Sequence, residues 1–206
     1  ASLSALRVYL ERCEDVAPDD VLPLVRKLLE HKSIDKPKMQ QLVPPVVLLV
    51  AEVCECPRVL GEITACVADL ENAKRKTQGF FKKQVAVIIK LVAELLVEFS
   101  PHKMHPKLGY LNLVLKYITD SDRGIREACY SVLVELSCWM GCIADAVKTM
   151  EEPQKKELAK RVEALSDEER ARAKPKRLYR GEQAAGAEGP AGAKVAQEKP
   201  LDQYDL

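Results

Sequence analysis

Apolar residues recur at intervals of three and four positions through most of the first 165 residues. This interval matches one face of an α-helix, which has 3.6 residues per turn. Leu3, Leu6 and Leu10 mark a short first helix, and Asp19 or Asp20 is expected to cap a second. The pattern predicts helices near 3–10, 20–31, 38–54, 57–70, 80–99, 108–118, 123–140, 143–150 and 154–165.

Prolines affect the third and fourth predicted helices. Pro44 and Pro45 fall within the third apolar run and are expected to kink that helix or delay its start, because proline has no backbone N–H. Pro57 suits the first turn of the fourth helix. The fifth helix is the most apolar, and we expect it at the centre of the core because its polar residues share one stripe: Lys83, Lys90, Glu94 and Glu98.

The breaks between the helices recur at a regular interval. Polar loops near Asp35, Ala73 and Asp122 are spaced by roughly 40 residues, the period of HEAT-type repeats. The sequence therefore predicts an all-α fold, an α-solenoid of antiparallel helix pairs, over residues 1–180. Residues 181–206 are mostly Ala, Gly, Pro, Glu and Lys, too polar to bury a core, and we expect them to be a disordered linker or tail.

The loops of such a solenoid alternate between two edges, and their charges differ. One predicted edge is basic, with Lys32, Lys36, Lys38, Lys74, Arg75, Lys76, Lys82 and Lys83, and the opposite edge carries Glu14, Asp15, Asp19 and Asp20. Each lysine alone is explained by solubility. A row of cations on a rigid edge, however, suits a large acidic protein surface.

Composition excludes several function classes. The net charge of +1 favours neither nucleic acid nor an anionic membrane, and no apolar run is long enough to span a bilayer. The 7 cysteines lie in apolar helical patterns, which indicates a reducing setting. Cys54, Cys56 and Cys66 fit no zinc spacing, and His31, His102 and His105 accompany no nucleophile. We expect no metal, no cofactor and no enzymatic activity.

Three C-terminal segments resemble a known family. The run from Ile125 through Val134-Glu135-Leu136 to Trp139 is similar to the fifth repeat of a TOG domain. The segments beginning at Gln154 and at Lys174-Pro175-Lys176-Arg177-Leu178-Tyr179-Arg180 are similar to the part that closes such a domain. The resemblance covers roughly 1–183 and points to the first TOG domain of the microtubule polymerases. The chain would then begin within the second repeat, without the first repeat and its aromatic tubulin contact.

The resemblance implies non-catalytic binding of αβ-tubulin at the microtubule plus end, together with sister TOG domains in a longer chain. It implies a cytoplasmic, cytoskeletal location, on microtubules, the spindle, or the centrosome or basal body. Its loops would place the tubulin contacts at Lys36, Lys38, Lys74, Arg75, Lys76, Arg123 and Arg126. Trp139 is expected in the core.

Two other functions stay open from the residues alone. The first is a generic HEAT or armadillo scaffold whose protein partner is not tubulin and which binds through its helical faces. The second is RNA binding by the basic edge, which would make affinity strongly dependent on salt.

Overall fold

The computed structural model describes residues 2–72, 79–99, 101, 104, 109–141, 143, 147–170 and 175–182. All the regular structure in these ranges is helical. The α-helices are α1 (Leu3–Arg12), α2 (Pro18–Leu29), α3 (Pro37–Cys54), α4 (Cys56–Asn72), α5 (Gly79–Glu98), α6 (Tyr110–Tyr117), α7 (Arg123–Met140), α8 (Glu152–Glu163) and α9 (Asp167–Arg170).

The helices form two layers, as an α-solenoid requires. In one layer α1 packs on α3, α3 on α5 and α5 on α7, while α2, α4 and α6 follow one another in the second layer. Both layers contribute to one apolar core. The predicted fold class is therefore confirmed.

The central position predicted for α5 is also confirmed, since this helix contacts both α3 and α7. Val85, Ile88, Ile89 and Leu95 are completely buried on it. Each side chain of this size contributes about 1.5–3 kcal/mol when it leaves water. The core therefore fixes α5 as the support for the helices on either side.

The first edge of the solenoid, the loop edge, carries the α2–α3 connection, the amino end of α5 and the α6–α7 turn. Three contacts join neighbouring helices at this edge. Gln84 near the start of α5 donates to the Leu29 carbonyl at the end of α2 at 2.6 Å. Lys82 lies 3.0 Å from Asp120 in the α6–α7 turn. Glu71 at the end of α4 accepts a hydrogen bond from Lys116 near the end of α6.

The opposite edge, the strap edge, carries the carboxyl ends of α1, α3, α5 and α7. The Trp139 indole N–H in α7 donates to the Leu96 carbonyl of α5 at 2.8 Å. Residues 175–182, the strap, lie across the ends of α1, α3 and α5. The sequence placed Trp139 in the core, but the residue is only half-buried and lies outside the buried apolar cluster, because its indole N–H reaches the carboxyl end of α5.

A single residue, Glu55, separates α3 from α4 at the strap edge. Its backbone has a φ of 66° and a ψ of 145°, a region that L-residues rarely adopt. The chain reverses here without a loop, because Cys56 already begins α4 and Pro57 occupies its first turn.

Two expectations for the early helices were wrong: the N-cap of the second helix, and the delayed start that was one of the two effects expected of Pro44 and Pro45. Helix α2 begins at Pro18 with Ala17 as its N-cap, and Asp19 and Asp20 lie in its first turn instead of capping it. A carboxylate there still interacts favourably with the positive end of the helix. Helix α3 already begins at Pro37, so the start is not delayed.

Pro44 and Pro45 lie inside the continuous helix α3. Proline removes one intrahelical hydrogen bond at each position, a local cost. The neighbouring Val43, Val46 and Val47 are almost completely buried, and the free energy gained by their burial offsets the cost of the lost hydrogen bonds. Tertiary packing thus outweighs the local preference in this helix.

Two later predictions were corrected as well. The stripe of α6 was expected on Leu108, Leu111, Leu115 and Ile118. Leu108 lies outside the described residues, Leu111 and Leu115 are only half-buried, and Ile118 lies just after the helix. Tyr110, Val114 and Tyr117 form the buried face instead. Residues 147–150 form turns, so the short helix expected at 143–150 is absent from its described part.

Candidate protein-binding edge

The α2–α3 connection presents two of the predicted site residues on a well-held turn. Ile34 is completely buried and anchors the turn in the core. The Gln40 side chain donates to the Asp35 carbonyl at 2.8 Å. Lys36 is the N-cap residue of α3, and both Lys36 and Lys38 are exposed. The connection therefore holds two cations in water on an ordered backbone.

The second predicted group, Lys74, Arg75 and Lys76, lies outside the described residues. The structure describes the amino end of α5 that follows it. Lys82 is half-buried and points to the α6–α7 turn, whereas Lys83 is exposed. Phe81, one position before Lys82, is buried in the core.

The α6–α7 turn is held by a set of side-chain hydrogen bonds. Asp122 caps α7 by accepting from the backbone N–H of Ile125 at 3.1 Å. The Asp120 carboxylate accepts from the backbone N–H of Asp122 at 2.7 Å and from Lys82 at 3.0 Å. Lys82 also donates to the Ser121 hydroxyl at 2.7 Å. Two helices thus fix the path of this turn.

Asp120 shows the electrostatic effect of these bonds. Desolvation of its half-buried carboxyl acts to raise the pKa, but hydrogen bonds from Asp122 and Lys82 favour the charged form. The pKa of Asp120 is therefore lower than usual. The Asp120 carboxylate is bound within the turn and does not pair with Arg123. Arg123 is therefore less neutralised than the acidic residues of the turn suggest.

Arg123 and Arg126 lie on the same turn of α7 but differ in their surroundings. Arg123 is exposed and, among the residues that the structure describes, has no ion-pair partner. The Nη1 atom of Arg126 donates to the carbonyls of Asp120 at 2.6 Å and Ser121 at 2.9 Å. Arg126 therefore stabilises the turn as well as adding charge to the edge.

The described loop edge thus brings four of the seven predicted residues to one side of the solenoid: Lys36, Lys38, Arg123 and Arg126. Lys36, Lys38, Lys83 and Arg123 have no acidic partner within the described ranges. At the strap edge, by contrast, the basic side chain of Arg177 pairs with Glu52 and Glu98. The loop edge therefore holds four exposed cations that lie close to helix starts and are not neutralised by an ion pair in the described ranges.

A second ionic network flanks this edge and attaches α8 to α7. Arg161 pairs with Glu127 through two bonds of 2.7 and 3.1 Å and with Glu157 at 2.7 Å. Its guanidinium lies 4.4 Å from the centre of the Tyr130 ring. Hydrogen bonds from Arg161 hold the pKa of Glu127 below its usual value.

The described residues offer little for catalysis or metal binding. No group of three or more His, Cys, Asp or Glu that could hold a metal occurs within them. Burial raises the pKa of Cys54 to about 11 and that of Cys56 to about 12, so both are protonated thiols at neutral pH. None of the helices in the described ranges has the length and hydropathy needed to cross a membrane.

Sequence reasoning missed how the edge is supported, because it counted Lys82 as one more cation of the edge and did not single out Gln84. Lys82, Gln84 and Asp120 join elements that are 38 or more positions apart. Gln84 did carry a signal, because it is a polar residue on the apolar side of α5 and is almost completely buried. The partner of such a residue cannot be read from helical periodicity.

Comparison with protein families gives a match that covers most of the chain. The family model described as XMAP215/Dis1/CLASP, TOG domain, matches residues 1–162. Neither the curated proteins nor the solved structures gave a significant match.

Proposed function

The chain belongs to the XMAP215/Dis1/CLASP TOG-domain family, and we propose that it binds αβ-tubulin through the loop edge as part of a microtubule assembly factor. The family is associated with tubulin binding and microtubule polymerase activity. In this proposal the domain is non-catalytic, works in the cytoplasm on microtubules, and shares its tubulin with sister domains of the same chain.

The alignment of exposed cations along one edge carries the proposal. Lys36 and Lys38 begin α3, and Arg123 begins α7, so the three cations lie at helix starts on the same edge. Cations on an ordered backbone attract an acidic surface over a distance of about 8–10 Å at physiological salt. The sequence places Lys74, Arg75 and Lys76 between these two positions.

A row of separate loops also explains how a weak contact becomes useful. Each exposed ion pair contributes only about 0.2–1 kcal/mol. Several loops on one support bind together because the first contact raises the effective concentration of the next. The edge would therefore hold tubulin without a deep pocket, and a sister domain would add to the affinity in the same way.

Co-elution with soluble αβ-tubulin on a sizing column at low salt tests the proposal. The wild type is compared with Lys36→Glu/Lys38→Glu and with a charge reversal of Lys74, Arg75 and Lys76. The matched control is Arg7→Glu/Arg12→Glu, which reverses two exposed charges on α1 away from the loop edge. We expect complex formation by the wild type and the control, and its loss in both loop variants.

Each other outcome favours a different reading. A complex that survives both loop reversals would disprove the assignment of the edge. Absence of binding by the wild type favours a scaffold with another protein partner. Binding of a mixed RNA probe with a steep dependence on salt would favour nucleic acid, because phosphate contacts release counterions.

A further inference from the structure

The strap makes contacts with the carboxyl ends of three successive helices in the same layer. The backbone N–H groups of Lys176 and Arg177 both donate to the Glu98 carbonyl at the end of α5 at 3.0 Å. Arg180 donates to the Cys13 carbonyl just past α1 at 2.6 Å and also to the Leu10 carbonyl. The strap thus bonds helix ends that are far apart in sequence.

The strap contacts α3 and α4 as well. The Arg177 guanidinium reaches Glu52 on α3 and lies 3.1 Å from the Glu98 carboxylate on α5. Tyr179 is 8% exposed, and its hydroxyl oxygen accepts from the Cys56 backbone N–H at 3.4 Å. Its ring stacks on Phe99 with centroids 5.4 Å apart. One short segment therefore contacts α1, α3, α4 and α5 at this edge.

Charge and the helix dipoles favour this arrangement. The carboxyl ends of helices have partial negative charge and unpaired carbonyl groups. Arg180 donates to the unpaired carbonyl groups at the end of α1. Arg177 neutralises the carboxylates of Glu52 and Glu98, which are only 13% and 22% exposed. The strap lies after residue 162, where the family match ends.

Helix length connects the strap to the loop edge. Helices α3 and α5 have 18 and 20 residues and run from one edge to the other. A helix of this length spans about 27–30 Å, so tilting it by about 5° about one end moves the other end by about 2.5 Å. A bond that fixes the carboxyl ends therefore also limits the movement of Lys36, Lys38 and the start of α5.

We propose that Arg177, Tyr179 and Arg180 are positioning residues for the loop edge: by tying the ends of α1, α3 and α5 together, they set the spacing of the basic loops on the opposite side. The part that concerns tubulin affinity rests on the proposed function. The part that concerns the loops of the free protein does not.

The experiment compares the wild type with Arg177→Ala/Arg180→Ala. Its control, Arg7→Ala/Arg12→Ala, removes two exposed arginines outside the strap. Hydrogen exchange is measured on the free proteins at amides bonded in the loop-edge turns, those of Ile34, Lys36 and Ile125. Tubulin binding is measured by association and dissociation rates at several salt concentrations, and circular dichroism checks that each variant is folded.

We expect faster exchange at these amides in the strap variant and not in the control. The tubulin dissociation constant should rise by about tenfold, mostly through a faster dissociation rate. The dependence of association on salt should stay that of the control, because no cation of the loop edge is removed. A loss of global stability alone would not change the affinity of the folded molecules.

Unchanged exchange in the loop-edge turns of a folded strap variant would overturn the proposal, whether or not tubulin binds. If the double variant does not fold, Arg180→Ala alone is used, because it leaves no carboxylate unpaired. Wild-type protein that fails to bind tubulin, together with faster exchange in the strap variant, would refute the proposed function and keep the positioning role. Equal tubulin dissociation constants for strap variant and control would refute the effect on binding.

Discussion

Lys82 of α5 holds Asp120 of the α6–α7 turn through a contact of 3.0 Å across 38 positions of the chain. The pair joins the helix that follows residues 74–76 to the turn that carries Arg123. Two neighbouring parts of the loop edge are therefore joined by one ion pair.

Replacing Lys82 with Met should raise the pKa of Asp120. Lys82 stabilises the charged carboxylate, and its low folded-state pKa adds stability above the unfolded value of about 3.9. That stability is lost as pH falls through the folded-state pKa. The variant lacks the part contributed by Lys82 already at neutral pH. An NMR titration of the Asp120 carboxyl carbon measures the shift. Lys83→Met, which removes the exposed neighbour, should leave the titration unchanged.

Glu127 and Arg161 should show a positive coupling in a double-mutant cycle with Glu127→Gln and Arg161→Met. Both side chains are partly exposed, so we expect about 1 kcal/mol at neutral pH, near the top of the range for surface pairs. Since the pKa of Glu127 is lowered, the coupling is present above its unfolded pKa and disappears as pH falls through the folded one. Urea unfolding at pH 7 and pH 3 measures this. A coupling independent of pH would contradict the ion pair.

Gln84→Met should destabilise the domain by about 1–3 kcal/mol, because the Leu29 carbonyl at the end of α2 loses its side-chain donor. Methionine is similar in size, so the cavity effect is small. The control is Gln41→Met, an exposed position on α3, where we expect a change within about 0.5 kcal/mol. Equal stabilities of the two variants would show that the buried hydrogen bond contributes nothing.

The buried thiols should make stability fall at alkaline pH. Burial raises the pKa of Cys66 and Cys129 to about 12, so the unfolded chain releases these protons at lower pH than the folded one. The free energy of unfolding should therefore decrease as pH rises above about 8.5, the ordinary pKa of a thiol.

Cys129→Ala isolates the effect of one such thiol. The variant should reduce the slope of stability against pH by about 1.4 kcal/mol per pH unit between pH 9.5 and 11. Val132→Ala, a buried position without a proton to release, should lower stability equally at all pH values in this window. Denaturant unfolding followed at several pH values gives both slopes. Parallel curves for Cys129→Ala and the wild type would contradict the expectation.

The helices could largely be predicted because their signals are local. Helix α7 begins and ends where the sequence indicated, since Asp122 supplies an N-cap and Gly141 follows the last turn. The delayed start expected from Pro44 and Pro45 does not occur, because helix α3 depends on contacts that are distant in sequence. Burial of the surrounding valines depends on contacts with other helices, and these contacts outweigh the preference of proline against the interior of a helix.

The sequence predicted the arrangement of the candidate edge only in outline. Alternation of loops between edges predicted which cations share a side, because it follows from the repeat pattern alone. It could not reveal that Arg126 also binds the carbonyls of Asp120 and Ser121, nor that Arg177 bonds Glu52 across 125 positions. Such contacts depend on the angle between helices. The part of the prediction that falls on Lys74, Arg75 and Lys76 stays a prediction.

The position of the strap has a consequence for how this domain is tethered. Whatever follows residue 182 starts from the strap edge, on the far side from the loops. A tether that returns to a partner held on the loop edge must first cross the width of the solenoid, about 27 Å for a helix such as α3. That crossing uses about eight fully extended residues. A partner bound at the proposed loop-edge site would therefore be separated from the point where the chain leaves the strap by the full width of the domain.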